Sequence, residues 1–148
     1  MAPALLDTNV LVHAVYQRSA LHAAAAELVD RGLRRRGLYC IAPQNLVEFA
    51  AVVTRPRLVE VALAGADVAR ITDLLYRSRK LAKIYPRRAT VARTVRQGAA
   101  LGISGPAWYD LFLAVTMVDA GVSVIITEDI GDFRRFPFIA PRGIRDAL

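Results

Sequence analysis

The chain has 148 residues, of which 55% are hydrophobic and 22% charged, a composition that excludes a disordered protein and fits one domain spanning residues 1–148. Apolar runs end well before the roughly 18 residues that a membrane span requires. Residues 1–15 lack a basic leader, so we expect a cytoplasmic protein with no membrane contact. Cys40 is the only cysteine, which excludes an internal disulfide and a thiolate metal cluster.

The charge balance favours a polyanionic partner. Lysine and arginine total 20 against 13 aspartate and glutamate, a net charge of +7. Nucleic acid is the first candidate partner for such a protein, although a basic surface also serves solubility alone. No acidic residue lies between Asp73 and Asp110. The basic residues of this stretch that are predicted to bind substrate are Arg77, Arg79, Lys80, Arg87 and Arg88.

Hydrophobic periodicity and turn signals predict strands that alternate with helices. In chain order, the predicted elements are strand Ala4–Leu6, helix Val10–Val15, helix Ala20–Arg36, strand Leu38–Ile41, helix Pro43–Thr54, helix Gly65–Leu81, strand Lys83–Tyr85, helix Thr90–Leu101, helix Pro106–Ala120, strand Val122–Ile126 and strand Phe138–Ala140. This alternation predicts an α/β fold with a short parallel sheet covered on both faces. Asp7 and Asp129 follow strands at their carboxyl ends, where ligand sites of such sheets collect.

Three acids stand in apolar surroundings. Asp7 lies between two apolar runs, and Glu48 and Asp110 each interrupt an apolar stretch of a predicted helix. Removing a lone carboxylate from water costs several kcal/mol unless it is compensated by a buried arginine, a proton or a cation. Separate ion pairs would explain each acid singly. The three together with Asp129 favour a shared Mg²⁺ or Mn²⁺, since hard cations prefer carboxylate oxygens.

An acidic cluster on a basic protein suits the hydrolysis of nucleic acid. A divalent cation neutralises phosphate charge and lowers the pKa of a bound water. Arginine side chains on the surface would hold the rest of the phosphate backbone. Such a site needs neither a nucleophilic side chain nor a histidine base.

Four segments together resemble the PIN-domain family, and within it the VapC-type toxins of bacterial toxin–antitoxin pairs. The resemblance extends over nearly the whole chain, and each segment carries one of the four acids. The segments are Leu5–Leu11 with its Asp-Thr-Asn signature, Gln44–Thr54 centred on Glu48, Gly105–Ala120 with Asp110, and Ile125–Phe133 with Thr127 and Asp129.

The resemblance implies a three-layer α/β/α sandwich and endonucleolytic cleavage of RNA with Mg²⁺ or Mn²⁺. It also implies a homodimer that is neutralised by a small antitoxin protein reaching into the active site. By position, the core metal ligands would be Asp7, Glu48 and Asp110, with Asp129 as the fourth and with Asn9 and Thr127 as hydrogen-bonding supports. Glu128 or Asp132 could take the place of Asp129 or assist it, because the closing segment is crowded with acids.

Three other functions fit parts of the pattern. A phosphatase with an aspartyl nucleophile at Asp7 would normally have a second acid two residues later, where this chain has Asn9. A DNA-directed 5′-nuclease shares the acid pattern but typically has further helices that grip duplex DNA. A non-catalytic RNA-binding or protein-interaction module would keep the fold and the basic surface, and metal binding would distinguish it from an enzyme.

Overall fold

Five short strands and seven α-helices alternate along the chain, and the computed structural model describes all residues from 1 to 148. The elements are β1 (Ala4–Leu6), α1 (Thr8–Val15), α2 (His22–Arg34), β2 (Tyr39–Ile41), α3 (Pro43–Val53), α4 (Gly65–Arg77), β3 (Ala82–Lys83), α5 (Thr90–Leu101), α6 (Ala107–Asp119), β4 (Val124–Ile126), α7 (Ile130–Arg134), β5 (Ala140–Arg142) and a 3₁₀ turn at Arg145–Ala147. None of the helices combines the length and the apolarity needed to traverse a lipid bilayer.

All five strands run parallel in one sheet with the order β3-β2-β1-β4-β5. In the central strand β1, Leu5 aligns with Cys40 of β2 on one side and with Ile125 of β4 on the other. Because the strands are parallel, their carboxyl ends meet at one edge. Asp7 and Thr127, each directly after a strand, therefore lie beside each other there.

Two separate hydrophobic cores cover the two faces of the sheet. Side chains alternate between the faces of a strand, so Leu5 and Leu6 are both fully buried but belong to different cores. Leu6 packs with side chains of α1, α2, α3 and α4, and Leu5 packs with those of α6 and of the segment around α7. The predicted α/β fold with a central parallel sheet between helical layers is confirmed.

Several element boundaries differ from prediction for local reasons. Helix α1 begins at Thr8 rather than Val10, because the side chain of Asp7 accepts a hydrogen bond from the Thr8 backbone N–H and caps the helix. The last strand is Ala140–Arg142 rather than Phe138–Ala140, since it pairs along β4 only from Ala140 onward. Helix α7 was not predicted, because its five residues show no helical periodicity.

Candidate active site

One pocket at the carboxyl edge of the sheet contains all four predicted metal ligands. Its volume is about 360 Å³, and its lining includes Asp7, Glu48, Asp110 and Asp129 but no lysine or arginine. Asp7 and Asp129 follow β1 and β4, whereas Glu48 and Asp110 are presented by α3 and α6. The remaining lining residues are Thr8, Asn9, Val12, Ala51 and Val52.

Asp7 is oriented by hydrogen bonds on both carboxylate oxygens. It is only 6% exposed. Its Oδ1 accepts from the Thr8 backbone N–H at 2.8 Å, and its Oδ2 accepts from Thr127 Oγ1 at 2.7 Å and from Asn9 Nδ2 at 3.3 Å. The carboxylate therefore has a defined orientation at the bottom of the pocket.

Asn9 and Thr127 connect Asp7 with Asp129 across the ends of the two strands. Asn9 Nδ2 donates to Thr127 Oγ1 at 3.0 Å and to Asp129 Oδ2 at 3.2 Å. The Asp129 backbone N–H donates to Thr127 Oγ1 at 3.0 Å, and the Glu128 N–H donates to Asn9 Oδ1 at 3.3 Å. The structure thus places both predicted supporting residues between two pocket acids.

Glu48 is held by residues that the sequence pattern did not single out. Its Oε2 accepts from Thr8 Oγ1 at 2.8 Å and its Oε1 accepts from Gln44 Nε2 at 2.9 Å. Gln44 also donates to the Tyr109 carbonyl at 3.2 Å, and Asn45 donates to Thr8 Oγ1 at 3.4 Å. The four-residue spacing of Gln44 and Glu48 places them on one helix face and is the sequence signal for the hydrogen bond between these two residues.

Asp110 is positioned by the packing of its helix. No hydrogen bond contributes to the environment of its half-buried carboxylate. Helix α6 packs on α5 with the Trp108 ring over Gly98, where an added Cβ would lie 2.2 Å from the ring. The glycine therefore permits the close approach that sets the position of the first turn of α6 and of Asp110 in it.

Two of the pocket acids are harder to ionise than ordinary aspartates. Burial raises the pKa of Asp7 from 3.8 to about 6, against the hydrogen bonds from Thr127 and Thr8, and the charges of Glu48 and Asp129 raise it further. The pKa of Asp110 is also raised to about 6. Burial is the largest cause, and the charges of Asp132 and Glu48 raise it further. Both shifts reflect negative charge gathered in a partly desolvated pocket.

The donor set fits a hard divalent cation. None of the ion pairs in the structure involves a pocket acid, so buried arginines do not compensate them. The carboxylates line one pocket but stand apart, and no three His, Cys, Asp or Glu side chains converge into a formed metal cage. Carboxylate oxygens with hydrogen-bonded orientations are the ligands that Mg²⁺ and Mn²⁺ prefer.

The two other acids of the closing segment lie outside this pocket. Glu128 turns away from it, because its Oε1 accepts the Ile144 backbone N–H at 3.0 Å. Asp132 accepts from Arg135 Nη2 at 3.4 Å and acts on Asp110 only through its charge. Asp129 is the member of the segment that lines the pocket.

The predicted substrate-binding residues are not in the pocket either. None of Arg77, Arg79, Lys80, Arg87 and Arg88 lines it. Arg77 pairs with Asp73 at 2.7 Å. The Arg87 backbone N–H donates to Thr90 Oγ1 at 2.7 Å, and the Thr90 hydroxyl donates to Asp119 Oδ2 at 2.6 Å. Asp119 ends α6, nine residues from Asp110, which is roughly 13 Å along the helix.

Comparison with known proteins identifies the family. The family model of the PIN domain matches residues 4–139, whereas no curated protein sequence matches significantly. A DNA-bound VapBC from Salmonella typhimurium is similar with a TM-score of 0.68 and 19% identity, covering 97% of this chain and 99% of that one. VapBC-1 from nontypeable Haemophilus influenzae has a TM-score of 0.63 and 18% identity, covering 96% and 98%. VapC20 from Mycobacterium tuberculosis, described as a toxin that cleaves the sarcin-ricin loop, has a TM-score of 0.62 and 12% identity, covering 82% and 86%. The chain belongs to the PIN-domain family, and it shares its fold with VapC toxins.

Proposed function

We propose that this protein is a metal-dependent endoribonuclease and the toxin component of a type II toxin–antitoxin system. The observation that carries the proposal is that Asp7, Glu48, Asp110 and Asp129 line one pocket whose lining includes no basic side chain. The net charge of +7 supports a polyanionic substrate outside that pocket. The description of the structurally similar VapC20 as a toxin that cleaves the sarcin-ricin loop supports RNA as that substrate.

The four carboxylates would hold Mg²⁺ or Mn²⁺, and the cation would supply charge neutralisation at the phosphate and a lowered pKa for water. Asn9 and Thr127 keep the carboxylates of Asp7 and Asp129 turned toward the same space. Thr8 and Gln44 do the same for Glu48. The residues of this chain would therefore bind the cation and orient the carboxylates that hold it, and an RNA phosphodiester would be hydrolysed at that site.

The partners proposed with this function are an RNA substrate, a cognate antitoxin protein and a second copy of the chain. Similar structures from Klebsiella pneumoniae, Salmonella typhimurium and Haemophilus influenzae are described as toxin–antitoxin or VapBC structures, which supports the antitoxin. The homodimer rests on the family resemblance. An antitoxin that occupies the acidic pocket would block both cation and substrate.

Calorimetric titration of Mn²⁺ into the purified protein without an antitoxin tests the metal site. We expect binding by the wild type and loss of binding in Asp7→Asn and Asp110→Asn, each checked for folding by circular dichroism. Asp67→Asn is the matched control, because Asp67 is an aspartate of α4 that pairs with Arg70 outside the pocket. Absent binding, or binding unchanged in both pocket variants, would favour the non-catalytic module instead.

A further inference from the structure

A polyanion faces an electrostatic barrier at this pocket. The four carboxylates repel an RNA phosphate until a cation is bound, and none of the basic residues between Asp73 and Asp110 lines the pocket. A phosphate next to the cleaved one would therefore need a positive side chain close to the rim. One arginine outside that stretch, Arg135, does not line the pocket either, but it ends the short helix that begins after the pocket residue Asp129.

Arg135 sits at the end of α7, on the side of the pocket formed by Asp110 and Asp129. Helix α7 begins directly after Asp129 and packs on α6, which carries Asp110. The charge of Arg135 acts on Asp110 and lowers its pKa, against the effect of Asp132. Arg135 also contacts Asp132 in the first turn of α7, so its guanidinium lies back along the helix that packs on α6.

The guanidinium of Arg135 is held on a rigid base. It lies 6.0 Å from the centroid of the Phe136 ring, and Phe136 is fully buried. That ring packs edge-on against Phe133 at 6.2 Å and is stacked with Phe138 at 6.1 Å. Arg135 nevertheless remains 43% exposed, so the aromatic cluster fixes the side chain without covering it.

Most of the hydrogen-bonding capacity of Arg135 is free. Its Nε donates to the Asp132 carbonyl at 3.1 Å and its Nη2 donates to Asp132 Oδ1 at 3.4 Å. A guanidinium has five N–H donors, which leaves three for a ligand. The contact with the Asp132 carboxylate is long and exposed, so a phosphate oxygen can replace it.

We propose that Arg135 is a substrate-binding residue that holds an RNA phosphate beside the cleaved one, at the α7 rim of the acidic pocket. The planar fork of arginine matches two phosphate oxygens, and the aromatic base presents it in a fixed position. Asp132 keeps the fork oriented in the free protein and releases it when phosphate binds. This inference rests on the proposed function for the identity of the substrate.

The test compares Arg135→Gln with Arg70→Gln. Arg70 is the matched control, because it forms the same kind of exposed pair three residues from an aspartate, with Asp67 on α4. Binding of a short fluorescein-labelled single-stranded RNA of mixed sequence is followed by anisotropy from about 50 to 200 mM KCl, with Ca²⁺ in place of Mn²⁺ to slow cleavage. We expect Arg135→Gln to weaken binding about tenfold and to reduce the log–log salt slope by roughly 0.7 more than Arg70→Gln does.

Two further variants separate charge from geometry. Arg135→Lys should restore the salt slope but only part of the affinity, because the charge remains and the fork is lost. Asp132→Asn should tighten RNA binding, since it removes the competing carboxylate. Equal slopes and equal affinities for Arg135→Gln and Arg70→Gln would overturn the assignment.

Mn²⁺ calorimetry on the same variants distinguishes this inference from the proposed function. Arg135→Gln should still bind Mn²⁺, because Arg135 is not a ligand and all four pocket acids remain. A wild type that binds RNA with the expected dependence on Arg135 but neither binds Mn²⁺ nor cleaves would refute the nuclease and keep the arginine. A wild type that binds Mn²⁺ and cleaves RNA, but whose RNA binding does not depend on Arg135, would support the nuclease and refute the role of Arg135.

Discussion

The acidic pocket has two sides that position their carboxylates by different means. On the strand side, Asp7 and Asp129 follow the ends of β1 and β4 and share hydrogen bonds with Asn9 and Thr127. On the helix side, Glu48 and Asp110 project from α3 and α6. Glu48 accepts two side-chain hydrogen bonds, whereas the position of Asp110 depends on how α6 packs against α5.

The two sides therefore differ in how far the pocket is pre-organised before a cation binds. The strand side is rigid because neighbouring parallel strands bring its residues together within hydrogen-bonding distance. The helix side contributes an acid, Asp110, whose pKa is raised to about 6 by burial and by like charges, with no hydrogen bond to oppose them. A cation that binds both sides would therefore meet carboxylates of fixed orientation on the strand side and a less constrained carboxylate, that of Asp110, on the helix side. The two sides should respond differently to substitution.

The largest effect is expected when one ligand is removed from either side. Asp7→Asn and Asp110→Asn should each lower the Mn²⁺-dependent cleavage of RNA by about 1000-fold or more, because several kcal/mol of transition-state stabilisation depend on the cation. Cleavage of labelled RNA over time measures the loss, with folding verified by circular dichroism and with Asp67→Asn as control. Full cleavage by a folded Asp7→Asn protein would contradict the assignment.

The strand side should also make the metal-free protein less stable as the pH rises. The pKa of Asp7 is about 6 in the folded protein, against an ordinary aspartate value of 3.8 that applies to the unfolded chain. Between these values the folded state keeps a proton that the unfolded chain has released, so the free energy of unfolding falls with rising pH. A shift of this size corresponds to about 3 kcal/mol.

Urea unfolding in EDTA across pH 4 to 7.5 measures this contribution as the difference between wild type and Asp7→Asn. The variant carries no titrating group at this position, so its stability relative to the wild type should increase as the pH rises from about 4 to about 6 and should change little above that. Asp110 changes stability in the same direction in both proteins and therefore cancels from the difference. A difference that does not vary with pH would mean that burial does not penalise the ionised Asp7.

Loss of the Thr127 hydroxyl should weaken metal binding on the strand side while keeping all four proposed ligands. Thr127→Val removes the 2.7 Å hydrogen bond to Asp7 and the acceptor for the Asp129 N–H. Residues that orient metal ligands typically contribute 10–100-fold to metal affinity, and we expect a loss of about this size in Mn²⁺ titrations. Thr116→Val is the control, because Thr116 is equally buried but donates only to the Phe112 carbonyl within α6. Equal Mn²⁺ affinities of the two variants would assign Thr127 a purely structural role.

The sequence is most informative about location where the chemistry of a residue conflicts with its surroundings. Acids in apolar stretches and strands alternating with helices are visible without coordinates. The pocket is lined by the three acids in apolar stretches, Asp7, Glu48 and Asp110, and by Asp129, which was predicted from its place after a strand. The role of Thr8 depends on a contact with Glu48 that only the packing of α1 against α3 creates, whereas the contact of Gln44 with Glu48 lies within α3 at a spacing of four residues.

The distribution of basic residues is less informative about the location of the site than acids in apolar stretches are. The density of basic residues drew attention to the stretch between Asp73 and Asp110, yet Arg77 pairs with Asp73 and the Arg87 backbone is bound near the far end of α6. Arg135 lies in an ordinary mixture of charges and gains its position from α7, an element too short to be predicted. Net charge thus favours a polyanionic partner but does not indicate which basic residues would contact it, and the role of the residues between Asp73 and Asp110 stays a prediction.

A substitution in α5 should disturb the helix side of the pocket indirectly. We expect it to lower Mn²⁺ affinity by less than Thr127→Val does. In Gly98→Ala, the added Cβ would lie 2.2 Å from the Trp108 ring, so the ring and the first turn of α6 must move. Overpacking of this kind costs roughly 1–3 kcal/mol of stability. Because Asp110 lies in that turn, Mn²⁺ affinity should also fall, whereas the strand side keeps its hydrogen bonds.

Gly65→Ala is the matched control for this variant, because Gly65 begins α4 and has no heavy atom within 4 Å of an added Cβ. It should leave both stability and Mn²⁺ affinity close to those of the wild type. If Gly98→Ala lowered stability but left Mn²⁺ affinity unchanged, the position of Asp110 would not depend on the contact between α5 and α6. The helix side of the pocket would then tolerate movement of the first turn of α6 without loss of metal affinity.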